Sequence, residues 1–204
     1  MKRTHRPAPT ANGPAFYFDL GSPDAYLLAE RMLPAMPVAT EWIPVLAAGL
    51  PGAESFEAFR CAEERNIVLG DFVSAAERRG LQPLRWPDPF PFDSSFAMHA
   101  ATYARQIGRT VPFALAAFRQ AFAGGRALDA DGVLIAAAAC EMHPAAVLKA
   151  VELRSVREAL ASETASAAAR GVRDVPAIVV GDAVFHGDAG LAAAARAAAA
   201  GAAA

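Results

Sequence analysis

Cysteine is scarce in this chain. Cys61 and Cys140 are the only two in 204 residues, far apart and in no Cys-x-x-Cys. Both sit in helical patterns beside alanine or apolar neighbours, where a free thiol behaves as a small buried hydrophobe. A disulfide between them has no support from spacing. Histidine is scarce too: His5, His99, His143 and His186 are scattered singles, and no His/Cys/Asp grouping has the spacing of a metal site. No metal is expected. No apolar run approaches the ~20 residues that cross a bilayer. Charge of one sign is also missing, with 19 Lys and Arg against 21 Asp and Glu and a formal net charge of −2, so no field steers the chain towards nucleic acid. The basic start from Met1 to Arg6 runs into a Pro/Ala/Asn/Gly stretch from Pro7 to Pro14, where a secretory signal needs a continuous apolar segment. These absences together lead us to expect a cytoplasmic protein with a small-molecule partner, neither nucleic acid nor membrane, and leave a homodimer open.

What is present is a folded composition, 54% hydrophobic and 20% charged, with much of the apolar share in alanine, which favours helix and buries little area per residue. Ala15-Phe16-Tyr17-Phe18-Asp19-Leu20 reads as a buried strand. Ser22-Pro23-Asp24 then opens a helix: serine is a favoured N-cap, proline suits the first helical position, and an acid suits the first turn. Pro34 and Pro37 are expected to end it, before a second strand over Val38–Val45. Two strands joined by a helix predict a parallel βαβ unit.

From Gly49 onward the pattern is helical for more than a hundred residues, broken by the proline-rich Trp86–Phe92. Helices are expected around Phe56–Gly80, Ser95–Ile107, Val111–Ala123, Ala130–Cys140, Ala145–Glu152 and Val156–Arg170. Ala177–Val180 and Ala183–Phe185 then read as a hairpin turning at Gly181-Asp182, and a last helix begins near Leu191. Neither strand pair makes a stable sheet alone. The expected fold is therefore α/β and thioredoxin-like, β-α-β … β-β-α, interrupted by an inserted α-helical domain. Its parts are a tail (1–13), the thioredoxin-like domain (14–50 and 171–195), the insertion (51–170) and an alanine-rich tail (196–204).

Phe16-Tyr17-Phe18-Asp19-Leu20-Gly21-Ser22-Pro23-Asp24-Ala25-Tyr26-Leu27 resembles the FYFDxxSPxxYL opening of 2-hydroxychromene-2-carboxylate isomerases and kappa-class glutathione transferases. Gly171–Pro176 resembles their GVxGVP segment, and Phe185–Leu191 aligns with their FWGxDRL. Trp42–Leu46 and Pro89–Ser94 also look familial. The likeness runs from about residue 15 to 191 and belongs to the DsbA-like branch of thioredoxin folds.

The resemblance implies glutathione as a cofactor and a glutathione-dependent isomerisation or transfer on a small aromatic substrate. Ser22, in the redox cysteine's place, would be catalytic and lie beside the glutathione sulfur. A cis peptide before Pro176 would face the Ser22 helix, with Val175 pairing its backbone to the ligand. Gly187 and Asp188 would complete the cofactor site, while Asp24 and Trp86 would wall the substrate cleft. The chain departs from the pattern at three places. The family's Asp-Arg pair falls on Ala189-Gly190, where Asp188, next door, can partly stand in for the aspartate and nothing replaces the arginine. The GNxPP loop has no counterpart in Gly49–Ser55, and Asp24 stands where an aromatic residue is common.

Independently of the resemblance, a helix N-terminus with a hydroxyl donor stabilises a thiolate, whereas serine forms no disulfide. The bland reading of Ser22 is a cap worth about 1 kcal/mol. His186, in the position of the family's tryptophan, reads as a packing residue. Two functions stay open: the glutathione-dependent enzyme, and a DsbA-like protein without glutathione chemistry that acts as a binding module or on another thiol.

Overall fold

A computed structural model describes residues 13–52 and 61–202. The expected basic tail, and the part of the first insertion helix around Phe56 and Phe59, lie outside the described residues. Four short strands form one mixed sheet in the order β2-β1-β3-β4: β1 (Ala15–Phe18), β2 (Glu41–Pro44), β3 (Ala177–Val180) and β4 (Ala183–His186). β1 runs parallel to β2 with Phe16 opposite Trp42, and antiparallel to β3 with Phe16 opposite Ile178. β3 and β4 form the hairpin. The fold is α/β and thioredoxin-like, as the sequence pattern predicts.

Strand alternation sets the two faces of this sheet. Phe16 and Phe18, both fully buried, point into the larger core with Trp42, while Ala15 and Tyr17 point into a smaller one with Ile43, Val175 and Ala167. Phe16 meets Trp42 edge-on at 4.9 Å, and Phe18 meets Phe118 at 5.9 Å. Burying each such ring stabilises the fold by about 1.5–3 kcal/mol.

Between β2 and β3 come α2 (Ala62–Arg78), α3 (Ser95–Gln106), α4 (Thr110–Phe118), α5 (Ala130–Ala138), α6 (Pro144–Glu152) and α7 (Arg154–Ala169). With α1 (Pro23–Ala35) and α8 (Gly187–Ala202) they complete the α-helices of the described residues. The expected helix Val111–Ala123 is α4 followed by a wider turn over Arg119–Ala123, in which Gly124 N–H reaches back five residues to Arg119 O at 2.8 Å.

Three boundaries differ from expectation for identifiable reasons. α1 passes through Pro34, whose missing N–H falls in the last turn, and ends one residue later. β2 starts at Glu41, three residues late, because only from there does the backbone pair with β1. α8 begins at Gly187 and runs to Ala202, so 196–202 is helix and not a tail. Ala194 and Ala198 are buried on its inner face.

Candidate active site

The turn that delivers Ser22 is built around Asp19. This carboxylate is 4% exposed and accepts three hydrogen bonds. Gly21 N–H donates to Oδ1 at 2.8 Å, Ala47 N–H to Oδ2 at 2.9 Å, and the Ser94 hydroxyl makes the third. Asp19 thereby ties the β1–α1 turn to the segment after β2 and to the start of α3. Gly21 sits so close to α3 that a Cβ there would lie 3.2 Å from Ser94 Cβ. Burial pushes the Asp19 pKa above the carboxylate range, against the pull of its three donors. Sequence reasoning passed over this residue. Its signal was an acid ending an otherwise aromatic strand.

Ser22 caps α1: its Oγ accepts the Ala25 N–H at 3.1 Å, and Pro23 follows at the first helical position. The hydroxyl proton has no acceptor among the described residues. The Asp24 N–H is likewise open, because Pro23 has no N–H and the N–H groups of Ala25 and Tyr26 both return to Ser22. One O–H and one N–H donor therefore stand at the positive end of the helix.

That end forms part of the wall of a cleft of about 460 Å³. The β1–α1 turn supplies Asp19, Gly21, Ser22 and Asp24, and the segment after β2 supplies Leu46–Ala48. The approach to α3 supplies Phe92–Ser95, and the loop before β3 supplies Asp174 and Val175. The Val175–Pro176 peptide is cis. Ser22 and Val175 thus share one cleft. The Val175 N–H is donated to Asp174 Oδ1 at 2.7 Å.

Asp24 is exposed and lines the open cleft. Loss of solvation pushes its pKa up to about 6. Asp174 and then Asp188 add to the rise, and Arg79 opposes it.

The remaining candidates do not line the cleft. Trp86 packs among Phe72, Phe90 and Phe122 at 5.9, 4.7 and 6.2 Å. Phe92 is the aromatic residue on the cleft wall. Gly187, at φ +63°, starts α8 and donates its N–H to Pro176 O at 2.9 Å. Asp188 has both oxygens engaged, Oδ1 by Arg31 and Oδ2 by Arg79 Nη2 at 2.6 Å. Arg79 lies just past the end of α2. Its Nη1 is buried without a partner. His186 Nε2 accepts the Arg173 N–H at 3.1 Å and so fastens the loop that carries Asp174.

Cys61 caps α2, and Cys140 donates its thiol to Ala136 O at 2.9 Å; neither lines the cleft. Among the described residues no group of three or more His, Cys, Asp or Glu is placed to hold a metal ion, and no helix is long and apolar enough to cross a membrane.

Glutathione, which the resemblance names, can be tested against these residues. Its sulfur would suit the Ser22 hydroxyl, but its two carboxylates find no lysine, arginine or histidine among the described lining. Asp188 is already paired, and the Val175 N–H is taken. The described residues do not fit it.

Residues 15–199 match the DSBA-like thioredoxin domain family. Among solved structures, the chain is similar to a 2-hydroxychromene-2-carboxylate isomerase, with a TM-score of 0.75 at 18% identity over 85% of this chain and 88% of that one. It is similar to a "probable DsbA oxidoreductase" from Streptomyces coelicolor, with a TM-score of 0.73 at 18% identity over 92% and 88% of the two chains. A cytosolic disulfide reductase, DsbM from Pseudomonas aeruginosa, gives 0.62 at 14% identity over 92% and 95%. No curated protein sequence matches.

Proposed function

This chain belongs to the DSBA-like thioredoxin domain family, and from that premise we propose that it is a non-redox member. In this reading it is an isomerase-type enzyme that moves the double bond of a small β,γ-unsaturated carbonyl compound into conjugation. One observation carries the reading: the Ser22 O–H, the Asp24 N–H and the Asp24 carboxylate stand at one helix end, in a cleft with no thiol among its described lining.

The volume of about 460 Å³ suits a small ligand, and Phe92 offers it an aromatic wall. The two donors would stabilise negative charge on the substrate oxygen, as preorganised donors do in acyl and enolate chemistry. The Asp24 carboxylate would take a proton from the carbon next to the carbonyl. The C–H electron pair would move into the enolate, and the same proton would return to the far carbon of the conjugated system. Charge is conserved: the negative charge passes from Asp24 to the substrate oxygen and back. Glutathione, which does not fit the described residues, has no part in this route.

The test is turnover of uncharged β,γ-unsaturated ketones, followed by the ultraviolet absorbance of the conjugated product, with 2-hydroxychromene-2-carboxylate as the anionic comparison. Ser22→Ala should lower kcat by about 10²–10³ and Asp24→Asn by about 10²–10⁴. Because the base must be ionised, the rate should rise as pH increases through about 6, and this limb should vanish in Asp24→Asn. Ligand binding without turnover would replace this reading with the binding-module one. Turnover that survives Ser22→Ala unchanged would end it.

A further inference from the structure

We infer that Met98 is a positioning residue for Ser22: its thioether sulfur is the acceptor that holds the backbone of the β1–α1 turn against α3. The inference rests on the reading that Ser22 acts in the cleft, and it adds a residue outside the described lining of that cleft.

The backbone N–H groups of the turn divide into two sets. Those of Gly21 and Ser22 both go to Asp19, the first to Oδ1 at 2.8 Å and the second to the carbonyl oxygen at 3.1 Å. These bonds curl the turn on itself. Leu20 N–H instead leaves the turn and donates to Met98 Sδ at 3.2 Å. Leu20 and Met98 are both fully buried, so solvent does not reach the pair, and a buried N–H without an acceptor is a cost that native structures avoid. Asp19 secures the turn at its first residue, and Met98 secures the backbone two residues before Ser22.

Met98 is itself fixed. It lies one turn into α3, its N–H donates to Ser94 O at 2.8 Å, and the Thr102 hydroxyl donates to its carbonyl at 2.8 Å. A methionine side chain has three rotatable bonds and adapts to its space, so packing is what keeps the sulfur under Leu20. Met98 belongs to the larger core, with Leu20, Ala25 and Ala97. A thioether is a weak acceptor, but a stronger one would bring into this core polar atoms that need partners of their own. Methionine fills apolar space and accepts a hydrogen bond at once. α3 therefore meets the turn at three points: the Ser94 hydroxyl on Asp19, the Ser94 side chain close against Gly21, and the Met98 sulfur on Leu20.

Met98→Leu keeps an apolar side chain of similar volume and removes the acceptor. Two readouts need no turnover. Amide exchange followed by NMR should show Leu20 losing about tenfold or more of its protection, while the amides of β1, in the middle of the sheet, keep theirs. In a Ser22→Cys, Cys61→Ser protein the thiol at position 22 senses the helix end. Adding Met98→Leu should raise its pKa by about half a unit, read from thiolate absorbance against pH, with Cys140 common to both proteins. With substrate, a displacement of about 1 Å costs about a hundredfold, so the smaller shift expected here should lower kcat about tenfold at unchanged KM. Met142→Leu, also a buried methionine but on the loop between α5 and α6, should change none of these. Replacing methionine throughout by norleucine, which keeps the linear shape without the sulfur, repeats the test should the leucine variant fail to fold.

Unchanged Leu20 protection overturns the proposal. So does protection lost equally across β1, which marks plain destabilisation, and so does a thiol pKa at position 22 that does not move. The exchange and thiol readouts involve no substrate, so their failure is separable from failure of the isomerase reading, which turnover by wild type and Ser22→Ala decides.

Discussion

Replacing Asp19 with asparagine tests whether one buried carboxylate holds the cleft together. Asp19 Oδ1 takes the Gly21 N–H at 2.8 Å and Oδ2 takes the Ala47 N–H at 2.9 Å. Asparagine keeps the shape but turns one of these oxygens into an NH2, so one buried backbone N–H meets a donor. A buried donor left unsatisfied costs about 1–3 kcal/mol, which in a chain of this size is about 2–4 °C of Tm per kcal/mol.

The pH dependence separates the causes. Burial is the largest influence on Asp19 and raises its folded pKa above the unfolded value. Between those two pKa values the native state holds a proton that the unfolded chain has lost, so wild-type stability falls as pH rises. The asparagine variant lacks this dependence. The stability gap should therefore be widest near pH 4 and narrow as pH increases. Urea unfolding of both proteins from pH 4 to 9 measures it. A gap that widens with pH would mean that the three donors outweigh burial, and would refute the reasoning.

Ser22→Ala removes the Ala25 N–H acceptor and should lower stability by about 1 kcal/mol in urea titration. Its effect on turnover, in contrast, should be at least a hundredfold. Asp188→Asn breaks the charge pairing of α8 with Arg31 and Arg79. With these side chains partly exposed the loss should be about 1 kcal/mol, smaller at 1 M salt. The same change removes a carboxylate that raises the Asp24 pKa, so the midpoint of the pH–rate profile should move below about 6. Insulin reduction should stay at the uncatalysed background, unaffected by Cys61→Ser, because neither cysteine lines the cleft.

The local part of this fold was legible in the sequence because short-range rules decide it. The Ser22-Pro23 start of α1 follows from capping, and the turn at Gly181-Asp182 follows from hairpin chemistry. The run from Ala15 to Phe18 reads as buried, although its division into Phe16 and Phe18 on one face and Ala15 and Tyr17 on the other needs the two cores on the page. α8 was underestimated because a run of alanines carries no amphipathic signal, even though Ala194 and Ala198 are buried. The pairing of Arg79 with Asp188 joins residues 109 positions apart, and no periodicity reports that. Asp174's capture of the Val175 N–H is a choice of rotamer and hydrogen bond, invisible in a Gly-Val-Arg-Asp-Val-Pro string. A tryptophan in a proline-rich connector either packs or walls a cleft, and local sequence does not choose; Trp86 packs against Phe72, Phe90 and Phe122. Only the packing shows that Phe92, six residues on, takes the cleft wall.

Asp19 and Asp24 show how environment assigns roles to identical groups. Both lose solvation on folding, and both pKa values rise for that reason first. Asp19 is met by two backbone N–H groups and a hydroxyl, so its oxygens are committed and its work is to hold three segments in register. Asp24 receives no donor among the described residues; what acts on it is charge, with Asp174 and Asp188 pushing its pKa up and Arg79 holding it down. In the proposed reaction a carboxyl with no donor among the described residues, poised at about 6, would exchange its proton with the substrate. Supplying Asp24 with a fixed donor would draw its pKa back towards the ordinary carboxylate range and weaken it as a base. In that proposed role, the lack of a hydrogen-bond partner among the described residues is what would fit Asp24 for proton transfer.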